Sequence, residues 1–107
     1  MKIENTKAQM RKGVLEYCIL SLLSKNDAYA SDIIKKLKEA KMIVVEGTLY
    51  PLLTRLKNAG LLSYRWEESK QGPPRKYYGI TDTGRAFLLE LDGSWKELVD
   101  AVTIVKV

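Results

Sequence analysis

Fifteen residues, EGTLYPLLTRLKNAG at positions 46–60, decide the fold of this chain. A helix turns by about 100° per residue, which gathers the apolar residues of this stretch on one side. They are Leu49, Leu52, Leu53, Leu56 and Ala59. A proline is tolerated in the first turn of a helix, where its missing N–H is not needed, so Pro51 predicts a start near Gly47. Gly60 then predicts the end of the helix.

The outward side of this predicted helix is unusual for a surface that only faces water. It carries an aromatic ring, a rigid proline, hydroxyls, an amide and cations, which are the groups that contact base edges, thymine methyls and phosphates. The sequence therefore favours a helix that reads nucleic acid, with an ordinary amphipathic surface helix as the alternative. The candidate contact residues are Thr48, Tyr50, Pro51, Thr54, Arg55, Lys57 and Asn58.

Length and composition indicate one small intracellular domain. A chain of 107 residues is long enough for one core, and no apolar run approaches the roughly 20 residues that span a bilayer. The polar start, MKIENTK, lacks the apolar segment of a secretory signal, so we expect a cytoplasmic protein without membrane contact. The single cysteine, Cys18, lies in an apolar stretch, which predicts a buried thiol and excludes an internal disulfide.

The chain lacks the side chains that most enzymes need. It contains no histidine, so the commonest general base and the commonest zinc ligand are both missing. The carboxylates at Glu67 and Glu68, and at Asp27 and Asp32, show no repeated ligand spacing. We interpret them as surface charges, with Asp27 as a helix cap, and expect neither catalysis nor a cofactor or metal.

The positive charge lies in the first three quarters of the chain. Residues 1–41 carry nine Lys and Arg against five Asp and Glu, residues 42–79 carry six against three, and residues 80–107 carry three against five. This asymmetry favours a polyanion partner for the front and a protein partner for the back, although surface solubility alone also produces it.

Two further helices are predicted before the central stretch. A helical pattern runs from about Asn5 to Ser24, and its second half is apolar nearly all round. The residues 25–27 end it and cap a second helix, in which Tyr29, Ile33 and Leu37 share a face. The β-branched run at 42–45 predicts a loop or a brief strand.

A β-hairpin is predicted after Gly60. Leu62, Tyr64 and Trp66 alternate with polar residues, which is typical of a strand with one buried face, and we expect Trp66 to pack against the body. The stretch 69–74, SKQGPP, predicts a turn, and extended structure resumes from Arg75 to Ile80. The basic residues of this hairpin are Lys70, Arg75 and Lys76.

The last predicted helix follows cap candidates at 81–84 and carries an apolar seam with gaps of three and four residues. The seam consists of Phe87, Leu91, Trp95, Leu98, Val102 and Val105. Such spacing is typical of a helix that packs on another helix, and this seam is longer than so few other elements can cover. It therefore predicts a second copy or another partner.

These elements follow the order α-α-α-β-β-α, which is that of a winged helix-turn-helix. In that mainly α fold with a small β-hairpin, the third helix enters the major groove and the hairpin lies along the neighbouring backbone or minor groove. We expect residues 1–80 to bind DNA and residues 81–107 to form a C-terminal dimerisation helix of the same structural domain. A winged-helix module that binds protein instead of DNA is the alternative.

Several separated motifs resemble the signature of PadR-like transcriptional regulators. They are GTLYPLL at 47–53, RL at 55–56, GL at 60–61, PRKYY at 74–78 and ITDTG at 80–84. The resemblance runs from about residue 11 to residue 91. It implies a homodimeric repressor, joined mainly by the last helix with help from the first, that binds a palindromic operator. The third helix would read the operator, and Lys70, Arg75 and Lys76 would form the contacts of the wing, which is the hairpin.

The chain ends soon after one C-terminal helix, so it is similar to the short members of that family. The resemblance implies that a planar aromatic effector could bind between the two subunits. Trp95 is then the candidate effector contact. The alternative is that Trp95 only packs in the core or in the dimer seam, because tryptophan contributes the largest area at a helix interface.

Overall fold

The computed structural model describes residues 1–42 and 44–107, and this part contains five helices and three strands. In chain order they are α1 (Ile3–Lys12), α2 (Leu15–Lys25), β1 (Ala28–Tyr29), α3 (Ala30–Glu39), α4 (Glu46–Asn58), β2 (Leu62–Ser69), β3 (Gly72–Ile80) and α5 (Asp82–Lys106). The sheet is antiparallel and has the order β1-β3-β2. This is the arrangement of a winged helix-turn-helix, with α4 as the predicted central helix.

The helix predicted over Asn5–Ser24 is two helices. Gly13 and Val14 separate them, and the N–H of Val14 bonds to the carbonyl of Arg11 at 3.1 Å. Glycine has a low helix propensity, and the chain passes at this point from a helix with no buried residue to one that is packed in the core. Ile3 and Met10 of α1 stay exposed, whereas α2 buries four apolar side chains, so no common core holds the two helices in one line.

The core lies where α2, α3, α4 and the sheet meet. Its fully buried side chains are Ile19, Leu20, Leu23, Ile33, Leu49 and Leu53. The predicted inner face of α4 is therefore confirmed at Leu49 and Leu53, and Leu56 is also buried. The prediction is wrong for Ala59, which is exposed because it follows the last helical residue as the C-cap.

The two ends of α4 follow from local chemistry. Gly60 has φ of +80°, a conformation that favours glycine, and its N–H bonds to the Lys57 carbonyl at 3.0 Å. The N–H of Leu61 reaches back to the Leu56 carbonyl at 3.0 Å, which completes a Schellman ending. At the other end the helix begins at Glu46, one residue before the predicted start at Gly47, and Pro51 lies in the second turn rather than in the first.

The stretch before α4 agrees with the predicted loop as far as it is described. Met42, Val44 and Val45 have no regular secondary structure, and Val44 is buried. The part of this prediction that falls on Ile43 lies outside the described residues.

The start of α3 differs from the prediction. The predicted cap Asp27 is not the cap, because Tyr29 precedes the helix and donates its N–H to the Asp32 carboxylate at 3.0 Å. Residues Ala28 and Tyr29 form β1, a strand that the sequence pattern did not predict, and they pair with Tyr78 and Tyr77. Two residues are too few to display an alternating pattern.

The hairpin turn is tighter than predicted. Only Lys70 and Gln71 connect β2 to β3, and Pro73 and Pro74 belong to β3. The register shifts here by one residue, since Glu67 pairs with Arg75 but Ser69 pairs with Gly72. The irregularity accommodates two prolines that have no N–H to donate to the ladder.

The hairpin extends beyond the core. Along the inner row of β2, Leu62 is buried and Tyr64 is half-buried, whereas Trp66 is 61% exposed. The prediction that Trp66 packs against the body is therefore wrong. Side chains still alternate between the two faces of a strand after the strand extends past the core. Those on the face that was buried then lie in solvent.

Helix α5 begins on the body and then projects from it. Thr81 accepts a hydrogen bond from the Gly84 N–H at 2.9 Å, and Gly84 and Leu88 are buried. The molecule measures 55 × 33 × 22 Å, and its radius of gyration is 15.5 Å, against about 13 Å for a compact chain of this length. No helix in the described part of the chain is both long enough and apolar enough to cross a membrane.

Candidate nucleic-acid interface

The outward face of α4 is exposed along its whole length. Its predicted contact residues Thr48, Tyr50, Pro51, Thr54, Arg55, Lys57 and Asn58 are all exposed, and the Tyr50 side chain is 47% accessible. The face exists because the leucines at 49, 53 and 56 anchor the opposite side in the core. A rigid helix therefore presents rings, hydroxyls and cations to the outside.

Two cations of α4 point toward neighbouring elements of the same chain. Arg55 Nη1 lies 3.2 Å from Glu16 Oε1 on α2, although 73% of the Arg55 side chain is exposed. Lys57 Nζ lies 6.0 Å from the centre of the Tyr64 ring. These contacts place both cations at the edge of the face, while Tyr50, Pro51 and Thr54 occupy its middle.

The three predicted wing cations occupy different positions on the hairpin. Lys70 is exposed in the two-residue turn at the tip. Arg75 lies nearer the body, with its guanidinium carbon 3.9 Å from the centre of the Tyr29 ring and its Nη1 3.5 Å from Ser31 Oγ. Lys76 Nζ lies 4.6 Å from the Tyr64 ring and 5.6 Å from the Trp66 ring. Aromatic faces thus hold both strand cations in place.

The α4–hairpin groove is an open cleft of about 330 Å³ between the central helix, the start of α3 and the hairpin. Tyr78 and Ala30, both buried, contribute to its lining. Its other principal side chains are Ser31, Tyr50, Thr54, Trp66, Arg75 and Lys76. The fold therefore brings predicted residues of α4 and of the wing to one groove, and it adds Ser31 and Trp66, which sequence reasoning did not place there.

The positive charge of Arg65 on β2 is neutralised by carboxylates, whereas that of Arg75 on β3 is not in the part of the chain that is described. Arg65 bonds to Asp27 at 3.1 Å and to Glu67 at 2.7 Å. Both bonds raise the pKa of the Arg65 guanidinium, and the bond to Glu67 has the larger effect. Within the described residues Arg75 forms no ion pair. Its charge is therefore available to an external anion.

The floor of the groove stays neutral. Burial raises the pKa of the Tyr78 phenol above its ordinary value, with smaller contributions from Tyr50 and Tyr64. The phenol is therefore protonated at neutral pH and adds no negative charge beneath the cations.

Three of the four carboxylates considered as metal ligands have structural partners instead. Asp27 and Glu67 hold Arg65, and Asp32 accepts the N–H that precedes α3. Across the described residues no group of three Cys, Asp or Glu side chains is placed to hold a metal ion.

The apolar seam of α5 is mostly uncovered. Leu91 is half-buried, and the Trp95 ring lies 6.1 Å from the Tyr17 ring on α2. Tyr17 donates a hydrogen bond to Asp92 at 2.6 Å. This bond raises the pKa of the Tyr17 phenol, and desolvation adds a smaller increase. The seam residues Phe87, Trp95, Leu98, Val102 and Val105 are exposed.

The comparison with known proteins agrees with this geometry. The profile of the Transcriptional regulator PadR-like family matches residues 19–90. A PadR-like transcription factor from Bacteroides fragilis is 69% identical, with a TM-score of 0.80 over 94% of this chain and 98% of that chain. A PadR family transcriptional regulator from Eggerthella lenta is 34% identical, with a TM-score of 0.89 over 96% and 90%.

A third similar structure is a PadR-like transcriptional regulator from Bacillus cereus, which is 40% identical, with a TM-score of 0.79 over 91% of this chain and 95% of that chain. The family consists of transcriptional regulators, not enzymes, and its members bind DNA. The profile match covers well over half of the 107 residues, so the chain belongs to the PadR-like family of transcriptional regulators.

Proposed function

We propose that this protein is a homodimeric transcriptional repressor that binds a palindromic operator in the cytoplasm. One observation carries the proposal: Tyr50 and Thr54 of the exposed face of α4 border the same groove as the β3 cations Arg75 and Lys76. A duplex presents base edges in its major groove and phosphates beside it, so a surface that reads DNA needs both kinds of contact in one place.

The recognition residues of this proposal lie on α4. Tyr50, Pro51 and Thr54 form the middle of its exposed face and would contact base edges and thymine methyls. Thr48, Arg55, Lys57 and Asn58 flank them. Arg55 would have to exchange its exposed ion pair with Glu16 for a phosphate, which costs little because surface ion pairs contribute about 0–1 kcal/mol.

The wing would supply contacts that do not depend on sequence. Lys70 at the tip and Arg75 and Lys76 on β3 carry the charges that phosphates attract. Each phosphate neutralised by a cation releases counterions, so these contacts make affinity depend on salt concentration.

The C-terminal part of α5 would join two subunits. Leu98, Val102 and Val105 are exposed on a seam in which Leu91 is half-buried and Trp95 lies beside Tyr17 of α2. Ile3 and Met10 on α1 are further exposed apolar side chains that a second copy could cover. In this proposal residues 1–80 bind DNA, and residues 81–107 form the dimerisation helix.

The experiment that tests this function is selection of DNA by the purified protein from a random-sequence library. We expect a two-fold palindrome whose half-sites lie about 10 to 10.5 base pairs apart, or a multiple of that distance. Placing the selected site in a promoter should then lower transcription of a reporter gene. Failure to retain any duplex at low salt would instead favour a winged-helix module that binds protein.

Trp95 supports a second element of the proposal, release from DNA by a planar aromatic effector. Its side chain is 43% exposed on the seam, next to the Tyr17 ring, where a second subunit would approach. Two such rings, one from each subunit, could enclose a flat ligand. Titration with planar aromatic compounds should quench tryptophan fluorescence, and Trp95→Ala should weaken binding. Equal affinity of both proteins would exclude the role of Trp95.

A further inference from the structure

Trp66 is the unexplained side chain of the hairpin. It is 61% exposed, and it lies on the row of β2 that was expected to face the core. One exposed apolar side chain needs no explanation by itself. This one, however, lines the α4–hairpin groove together with two cations and with the exposed ring of Tyr50.

The cations of the groove are held in place before any ligand arrives. The Arg75 guanidinium lies on the Tyr29 ring, and Lys76 Nζ lies 4.6 Å from the centre of the Tyr64 ring and 5.6 Å from that of the Trp66 ring. Arg75 Nη1 is 3.5 Å from Ser31 Oγ, so a hydroxyl and a guanidinium stand side by side. Because Arg75 has no carboxylate partner in the described part of the chain, its remaining N–H groups are available to an anion.

The groove therefore combines apolar and cationic side chains within about 330 Å³. A nucleic-acid backbone has the complementary composition, since apolar deoxyribose rings alternate with anionic phosphates. When α4 enters the major groove and the hairpin reaches the neighbouring backbone or minor groove, one strand has to pass between them. The α4–hairpin groove lies between these two elements.

We infer that the α4–hairpin groove binds the sugar–phosphate backbone of one DNA strand, with Ser31 and Arg75 at a phosphate and the Trp66 indole against the adjacent deoxyribose. This inference rests on the proposed DNA-binding function and assigns a new role to Trp66 and Ser31. It differs from base reading, because both contacts are made to groups that every sequence shares.

Tryptophan spectroscopy tests the contact directly, because the chain has only two tryptophans, Trp66 and Trp95. The protein labelled with 5-fluorotryptophan should give two ¹⁹F signals, and Trp66→Phe assigns them. Addition of the duplex selected by the protein should shift the Trp66 signal and protect it from solvent. The Trp95 signal, on the seam of α5, serves as the internal control and should move less.

Affinity measurements separate a contact to the sugar from a structural role of the ring. Trp66→Ala should weaken binding of the selected duplex roughly 10-fold, whereas Trp66→Phe, which keeps a ring, should weaken it roughly threefold. Neither substitution removes a phosphate contact, so the slope of log affinity against log salt should stay unchanged. Arg75→Ala should lower that slope by about one.

Two results would overturn the inference and leave the proposed function intact. In the first, the duplex binds with the expected affinity but the Trp66 signal does not move. In the second, Trp66→Ala binds as tightly as the wild type while Thr54→Ala does not. Absence of binding by the wild type would instead reject the proposed function itself.

Discussion

The Tyr17 hydroxyl donates a hydrogen bond of 2.6 Å to the Asp92 carboxylate, a residue 75 positions later in the chain. This bond ties α2 to α5, and the rings of Tyr17 and Trp95 lie 6.1 Å apart just beyond it. Together these contacts set the direction in which α5 leaves the body. The position of the exposed seam relative to α4 therefore depends on this junction.

The junction should respond to alkaline pH. The hydrogen bond to Asp92 raises the pKa of Tyr17 above its ordinary value of 10.0, so the fold favours the protonated phenol. The resulting stabilisation is fully present below about pH 10 and is lost as the pH rises through the raised pKa. Urea unfolding of wild type and Tyr17→Phe should show a constant difference up to about pH 9 that then narrows. A difference that widens above pH 10 would contradict the assignment.

Two glycines of α5 should respond oppositely to alanine. A Cβ at Gly84 would lie 2.1 Å from the Leu61 carbonyl oxygen and 2.7 Å from Ile80 Cγ1. Gly84→Ala should therefore lower the free energy of unfolding by about 2 kcal/mol or more. A Cβ at Gly93 meets no atom within 4 Å among the described residues, so Gly93→Ala should raise it by about 0.5–1 kcal/mol. Thermal or urea unfolding measures both, and equal effects would refute the close approach at Gly84.

Substitutions of the adjacent residues Leu53 and Thr54 on α4 should have different effects, the first on protein stability and the second on DNA recognition. Leu53 is fully buried, so Leu53→Ala should cost about 2–5 kcal/mol in urea unfolding. Thr54 is exposed, so Thr54→Ala should change stability by less than about 0.5 kcal/mol and should alter the DNA sequence that the protein selects. A selected sequence identical to that of the wild type would remove Thr54 from the recognition surface.

The tip of the wing and the middle of α4 should differ in their salt dependence. Lys70→Ala should weaken binding to all duplexes alike and lower the salt slope by about one. Tyr50→Ala should leave the slope unchanged and reduce the preference for the selected site over a scrambled one. Fluorescence anisotropy at several salt concentrations measures both quantities. If the two variants lost affinity in the same way, α4 would have no special role in reading sequence.

The C-terminal seam should control the oligomeric state. Leu98 is exposed in this subunit, so Leu98→Glu should leave the protomer folded but convert a dimer to a monomer in sedimentation equilibrium. Lys96→Glu places the same side chain about 160° away on the helix and serves as the matched control. A dimer that survives Leu98→Glu would exclude this face as the interface.

The sequence predicted those features that depend on local periodicity. The leucines of α4 repeat at helical spacing over a whole element, so its buried side could be assigned, and Gly60 marked its end. The polar residues between them then had to face outward. The same reasoning found the hairpin and the long apolar seam of α5.

Features set by distant packing could not be predicted in this way. Trp66 continues the alternation that buries Leu62, and only the distance that the hairpin extends past the core leaves its ring exposed. The strand at Ala28 and Tyr29 exists because β3 provides a partner, not because two residues prefer it. The contact between Ser31 and Arg75 joins residues 44 positions apart and has no local signal.

The most direct test of the central claim is a hydroxyl-radical footprint of the protein on its selected duplex, combined with the mass of the complex. We predict two chains per duplex and two protected half-sites about 10 to 10.5 base pairs apart, or a multiple of that distance. In the same assay Thr54→Ala should lose protection at the half-sites. One chain per duplex, or a footprint unchanged by substitution of both Tyr50 and Thr54, would contradict the account.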